Sequence, residues 1–423
     1  MTDDWKPEWV EPRPGFISVP EDSKDEFHER VFAHLQRVHD WGHSSRTIQP
    51  FEDMPIRVHE LVANTSAGPH SSRLWIANAK GGLFVWTVGS GLPSAVECEL
   101  WEAAASDALA TLGQREPVSW RAFLAQAPAA LDHMRVRLDE RAELQDGVVL
   151  TPVEGVMMTD MMANVMGALA GVHATALIQV DGATPCYSWQ ADGQAATHRR
   201  LRMLSAVVSL AWDTPWFLRD GPFDQVGVAW DGAAGPVSGY NYRWSGDDQA
   251  MTPAAAKLPG WVADVEPTLL VDAQHDSAIH RALLMHHEGL LISREHPSLA
   301  LLAFVASIET IAAMSETLEH CPECNVVQGS TARFKRAAVS VITEDEADRL
   351  ARTYKQRSRT VHDAYLHGRE SLAGGWGQMS LYRPDQALDF EYGTVAIAQK
   401  ASRALLWRTL DIDSSPTHPL GPS

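Results

Sequence analysis

The chain has 423 residues, 45% hydrophobic and 21% charged, with four cysteines and a formal net charge of −19. That balance excludes a disordered, collagen-like or low-complexity chain, and so few cysteines exclude a disulfide scaffold. At roughly 150 residues per domain the length predicts two or three domains.

The start, Met-Thr-Asp-Asp-Trp-Lys-Pro-Glu-Trp, is acidic and polar and lacks the basic and apolar regions of a secretory signal. Residues 1–50 read as a mobile N-terminal arm with a helical piece from Asp22 to His39. Residues 51–265 read as an acidic α+β domain, and 13 of the 15 tryptophans fall within residues 1–261. In it, Arg73 to Val88 predicts two strands around Ala79-Lys80-Gly81-Gly82. Helical patterns follow at 94–112, 118–144 and 194–212, with strand-like pieces at 148–151, 176–180 and 226–230. The stretch Met161 to Val180 reads as a buried helix running into a strand, not a membrane span. A cytoplasmic protein without a membrane partner is expected.

The Gly- and Pro-rich segment Gly232 to Pro267 marks a domain boundary. Beyond it, residues 270–410 predict helices at 274–294, 297–318, 330–340, 343–367 and 392–410, and 411–423 form a flexible tail. The expected fold is thus an α+β N-terminal domain followed by an all-α helical bundle. The acidity is N-terminal: residues 1–274 hold 20 basic and 36 acidic side chains, residues 275–410 hold 15 and 16. The near-neutral C-terminal part leaves room for a phosphate-bearing partner, which needs Lys and Arg.

Neither GxxxxGK[ST], nor GxGxxG after a strand, nor HExxH, nor GxSxG occurs. Cys321-Pro-Glu-Cys324 can hold zinc only with a second ligand pair, either Cys98 and Cys186 or His320 and another histidine. A turn between two helices is the plainer role. His39 and His43 stand four apart without a nearby third ligand, and His286-His287 read as helix surface or interface.

The segment Tyr354-Lys355-Gln356-Arg357-Ser358-Arg359-Thr360-Val361-His362 carries the chemistry. A guanidinium stays charged and neutralises a phosphorane, and an imidazole moves a proton at neutral pH. Arg281 and His286 have the same spacing, so spacing alone does not choose. Context does: Tyr354, Arg357, Ser358, Val361 and His362 form one broad helical stripe suited to a polar cleft. Arg357 and His362 lie about 140° apart on a helix, so they converge better across a two-fold axis, which implies a homodimer if the two work together. Glu309, in the apolar run Leu299 to Met314, needs a partner such as Arg357 or His362.

Ala300-Leu301-Leu302-Ala303-Phe304-Val305-Ala306-Ser307-Ile308-Glu309, then Gly329-Ser330-Thr331-Ala332-Arg333-Phe334, then Tyr354-x-x-Arg357-Ser358-x-x-Val361-His362, resemble in this order the C-terminal domain of ApeA-like HEPN proteins. The resemblance covers residues 275–410. It implies a dimerising helical bundle that pairs two Arg-x(4–6)-His motifs in a cleft, either as a metal-independent ribonuclease in toxin or anti-phage systems or as an inactive binding module. Arg357 and His362 are then catalytic, with Ser358 as a polar helper; Tyr354, from the same stripe, and Glu309, as their partner, complete the candidate site on the reading of the residues themselves. Arg333, Lys335, Arg336, Arg352, Lys355 and Arg359 would guide RNA, no cofactor is needed, and the Trp-rich part would sense an unidentified trigger. Asp363, where the family often has glycine, favours the inactive module. A zinc-stabilised interaction protein centred on Cys321 and Cys324 is the reading from another class.

Overall fold

The computed structural model describes residues 11–38, 43–51, 54–65, 68–89, 95–126, 136–153, 156–158, 173–174, 177–224, 242–243, 254–274, 277–293, 296–315, 330–364, 366–368 and 389–412, in places by backbone alone. Sheets and helices are mixed, an α+β chain. It forms two compact units: Met1–Val118 with Thr184–Ala195, and Ser119–Ala183 with Ala196–Ser423.

The first unit contains an antiparallel sheet built from β1 (Glu11–Ser18), β2 (His43–Phe51), β3 (Met54–Thr65), β4 (Gly68–Ala79) and β5 (Gly82–Gly89) in the order β1-β5-β4-β3-β2. Helices α1 (Lys24–Val38) and α2 (Ala95–Thr111) pack together. Phe27, Val31 and Leu35 recur every fourth residue of α1 and are fully buried, meeting alternate strand residues Leu74, Ile76, Leu83 and Val85 and, from α2, Trp101, Ala104 and Ala108. The expected turn between β4 and β5 is present, with Gly81 at φ +77°, a conformation that favours glycine. Residues 11–38 are therefore built into the unit instead of forming an arm.

Charge fixes the segment 184–195 to this unit. Glu26 accepts from the Gly113 amide at 2.8 Å and pairs with Arg30 at 2.7 Å and Arg115 at 3.5 Å. Arg115 also pairs with Asp192 at 2.5 Å, and the Arg115 and Arg30 guanidiniums lie 4.7 and 5.8 Å from the centre of the Tyr187 ring.

The second unit contains strands β6 (Glu116–Gln126), β7 (Val136–Leu138), β8 (Ala142–Glu143), β9 (Val149–Val153), β10 (Val156–Met158), β11 (His173–Ala174), β12 (Leu177–Cys186) and β13 (Trp216–Asp224), of which five form a sheet in the order β13-β6-β12-β9-β8. Strand β14 (Tyr242–Arg243) joins β10 and β11 in a small sheet, and β15 (Ala254–Ala256) pairs in parallel with β7. The helix expected over 118–144 is replaced by β6, β7 and β8. Trp120, Ala122, Phe123, Leu124 and Ala125 are all buried, so residues on both faces of β6 are enclosed, and the aromatic fit to a pleated surface overrides the helix-forming Ala, Leu and Glu. The strand expected at 226–230 and the helix expected before Ala174 lie outside the described residues, as do 413–423. Ile412, inside the expected tail, is buried.

Among the described residues, the helices that follow or flank this sheet are α3 (Gln194–Trp212), α4 (Trp261–Gln274), α5 (Ala278–Ile292), α6 (Pro297–Ser315), α7 (Ser330–Val339), α8 (Glu344–Asp363) and α9 (Ala396–Thr409). The expected division near 265 is crossed by many bonds. Arg200 on α3 pairs with fully buried Glu266 on α4 at 3.2 Å and with Asp146 at 2.5 Å. His287 on α5 donates to the Trp216 carbonyl at 2.6 Å. Arg403 on α9 donates to the Leu210 and Ala211 carbonyls at 3.1 and 3.0 Å, and Gln399 donates to Asp213 at 3.0 Å. These side chains satisfy the open C-terminus of α3, where Asp213 turns at φ +54°.

Helix α6 is long and apolar enough to cross a membrane by composition, with 56% of that stretch buried in this fold. Phe304, Val305, Ile308 and Ile311 form its core face, and Gly289 on α5 sits where a Cβ would fall 2.6 Å from the Phe304 ring. A polar seam links three helices: His286 Nδ1 on α5 meets Ser402 Oγ on α9 at 3.0 Å, and Ser402 donates to Ser307 on α6 at 2.9 Å.

Two stability measurements follow. Glu266→Ala leaves Arg200 without its buried partner and lowers stability by roughly 3–5 kcal/mol, read from urea unfolding. Burial pushes the His286 imidazole down to about 3 from the usual 6.5. Between those values the unfolded chain binds a proton that the folded chain does not, so stability is lost as pH falls through that window, by about 1.4 kcal/mol per pH unit. His286→Gln removes that slope, so its stability deficit at pH 7.5 shrinks at pH 4.5.

Candidate active site on helix α8

Helix α8 starts at a capping box. Thr343 Oγ1 accepts from the Glu346 amide at 3.3 Å, and Glu346 accepts from the Thr343 amide at 3.0 Å. Glu344, Asp345 and Glu346 occupy the first turn, where carboxylates favour the positive end of the helix dipole. Its first half is anchored by buried Ala347, Leu350 and Thr353, and by ion pairs from Lys400 to Glu346 at 2.8 Å, Lys335 to Asp348 at 2.5 Å and Arg349 to Asp389 at 2.6 Å.

Tyr354, Lys355, Arg357, Ser358 and Arg359 all lie on α8, and their side chains are outside the described residues. By helical phase Arg357 comes two turns after buried Leu350, and His362 stands about 140° from it in the last turn. Thr360 is buried, whereas Val361 is 55% exposed and His362 and Asp363 face solvent. The helix expected to run to 367 stops at Asp363, because Ala364 takes a left-handed φ of +53°.

Helix α6 packs against α8 and carries Glu309. Leu302, Ala306 and Glu309 form the half-buried margin of α6, so the carboxylate sits at the rim and not among the core residues. On α7, which packs against α8, Arg333 is half-buried and Arg336 exposed; Arg352 on α8 is exposed. Lys335 is engaged by Asp348, whose carboxylate holds the ammonium above its ordinary range and is itself held down.

The competing pair is decided by burial. His286 is fully buried and bonded to Ser402, and His287 is 3% exposed, so neither is the surface or interface residue that the sequence suggested. A histidine sealed among α5, α6 and α9 cannot meet a polymer, while His362 can. Cys186 is buried as well, and burial, then Asp192, pushes its thiol up, away from thiolate chemistry. Among the described residues no group of three or more His, Cys, Asp or Glu is placed to hold a metal. Cys321 and Cys324 lie outside them.

The sequence did not single out three residues around the end of α8. Ser298, at the start of α6, accepts from the His367 amide at 2.8 Å and the Gly368 amide at 3.4 Å, and the His367 and Phe390 rings lie 5.4 Å apart. A serine behind Pro297 reads from sequence as a helix start, which hides this contact across about seventy residues. Comparison with family profiles, with curated proteins and with solved structures found no match for this chain.

Proposed function

We propose that the chain is a metal-independent HEPN endoribonuclease, cytoplasmic and homodimeric, in a bacterial anti-phage or toxin-like role. The observation that carries the reading is the contrast between its two Arg-x4-His pairs. His286 is sealed in the core, and His362 is open to solvent at the end of a well-anchored helix that also bears Arg357. The order of the motifs on α6, α7 and α8 and the mutual packing of those helices agree with a HEPN-type bundle.

In this reading His362 takes the proton of a ribose 2′-OH, or delivers one to the leaving O5′. The 2′-oxygen attacks phosphorus as the P–O5′ bond breaks, and Arg357 stabilises the charge that develops on the phosphoryl oxygens. The products are a 2′,3′-cyclic phosphate and a 5′-OH. Two copies bring Arg357 of one protomer toward His362 of its partner. Arg333, Arg336 and Arg352 guide the strand, and the acidic Trp-rich first half restrains or senses a trigger. Asp363, exposed beside His362, favours the second reading, an inactive HEPN dimerisation or RNA-binding module.

Purified protein in EDTA is expected to cleave end-labelled single-stranded RNA and leave cyclic phosphate ends. Arg357→Ala and His362→Ala are each expected to lose at least a hundredfold of that rate. RNA binding without cleavage by wild type supports the inactive module, and a requirement for added metal contradicts the assigned site. Asp348→Asn releases Lys335 and removes a negative charge, so RNA affinity at low salt rises about two- to fivefold and the gain fades as salt is raised. Filter binding at two salt concentrations reads this.

A further inference from the structure

The last turn of a helix has carbonyls with no internal donors and frays unless something holds its exit. In α8 that turn contains His362, and the chain leaves it through Ala364 in the left-handed region. Beyond the turn, contacts among the described residues hold the chain. Fully buried Ser298 accepts both the His367 and Gly368 amides, and the His367 ring lies against Phe390, which is 4% exposed. Phe390 follows Asp389, whose carboxylate and carbonyl accept Arg349 from the first half of the same helix. Gly393, in the same Asp389–Val395 turn, sits so close to the Arg349 guanidinium that a Cβ there would overlap it. One short segment thus braces α8 near its start and again just past its end.

We propose that Ser298, with the His367–Phe390 contact, is a positioning element for His362: it fixes the end of α8 so that the exposed imidazole has one location from which to move a proton. The assignment rests on the ribonuclease reading of Arg357 and His362. Ser298 does not touch RNA in this account. Its loss changes the chemical step and leaves binding alone, because a displacement of about 1 Å at a proton-transfer group costs up to a hundredfold in rate.

The test compares wild type, Ser298→Ala, Ser298→Thr and His367→Ala, using full-length protein. Single-turnover RNA cleavage gives the rate and the RNA concentration at half-maximal rate, and hydrogen exchange is followed over residues 360–368. The expected result is a rate about tenfold lower for Ser298→Ala and His367→Ala, with the half-maximal concentration within twofold of wild type. Exchange at 360–368 rises in both variants, and Ser298→Thr, which keeps the hydroxyl, recovers rate and protection. Thermal unfolding separates loss of fold from loss of position, and His367→Ala, on the less buried partner, serves if Ser298→Ala does not fold. Cleavage by wild type with an unimpaired Ser298→Ala overturns the positioning role alone, as does a rate loss with unchanged exchange. RNA left intact by wild type overturns the ribonuclease reading and the positioning role together.

Discussion

The C-terminus of α3 is the constraint on which the second unit depends. A helix end buried without donors for its last carbonyls is costly, at about 1–3 kcal/mol for each unsatisfied group. Here the donors come from nearly two hundred residues away, from Arg403 to the Leu210 and Ala211 carbonyls, with Gln399 on Asp213. A cation also suits the negative end of the helix dipole. The same guanidinium lies 4.8 Å from the Trp407 ring, and Trp407 meets Trp261 at 5.9 Å, so α3, α4 and α9 are fixed by one cluster.

That cluster has consequences for α8. Helix α9 carries Lys400 to Glu346 at the start of α8 and Ser402 to the seam with His286 and Ser307. The helix bearing the candidate site is therefore anchored through its first half to a scaffold set by α3, and its exposed end depends on Ser298 and Phe390. A rigid base with a solvent-facing terminal turn is the arrangement a polymer-cleaving site needs, since the substrate must reach it while its acid–base group stays in place.

Sequence periodicity revealed α1, α2, α3 and α5 to α9, because each has an apolar stripe at helical spacing or a capping signal. It misread 118–144, where residues from Trp120 to Ala125 are enclosed on both faces and leave no alternation to recognise. The boundary inferred near 265 came from local Gly and Pro content, whereas unit membership is decided by partners such as Arg200 with Glu266 and His287 with Trp216, about seventy residues apart. At the candidate site, Arg357 and His362 were legible as residue types in an unusual stripe. The burial that separates His362 from His286 was not, because an Arg-x4-His spacing is the same on a core helix and on an exposed one.

The most direct measurement of the central claim uses an RNA oligonucleotide with a single 2′-deoxy substitution at a position that wild-type protein cleaves, assayed in EDTA. Attack by the neighbouring 2′-OH predicts that cleavage disappears at the substituted position and persists at the others. Cleavage there at an undiminished rate would show that another nucleophile does the chemistry and would contradict the roles given to Arg357 and His362.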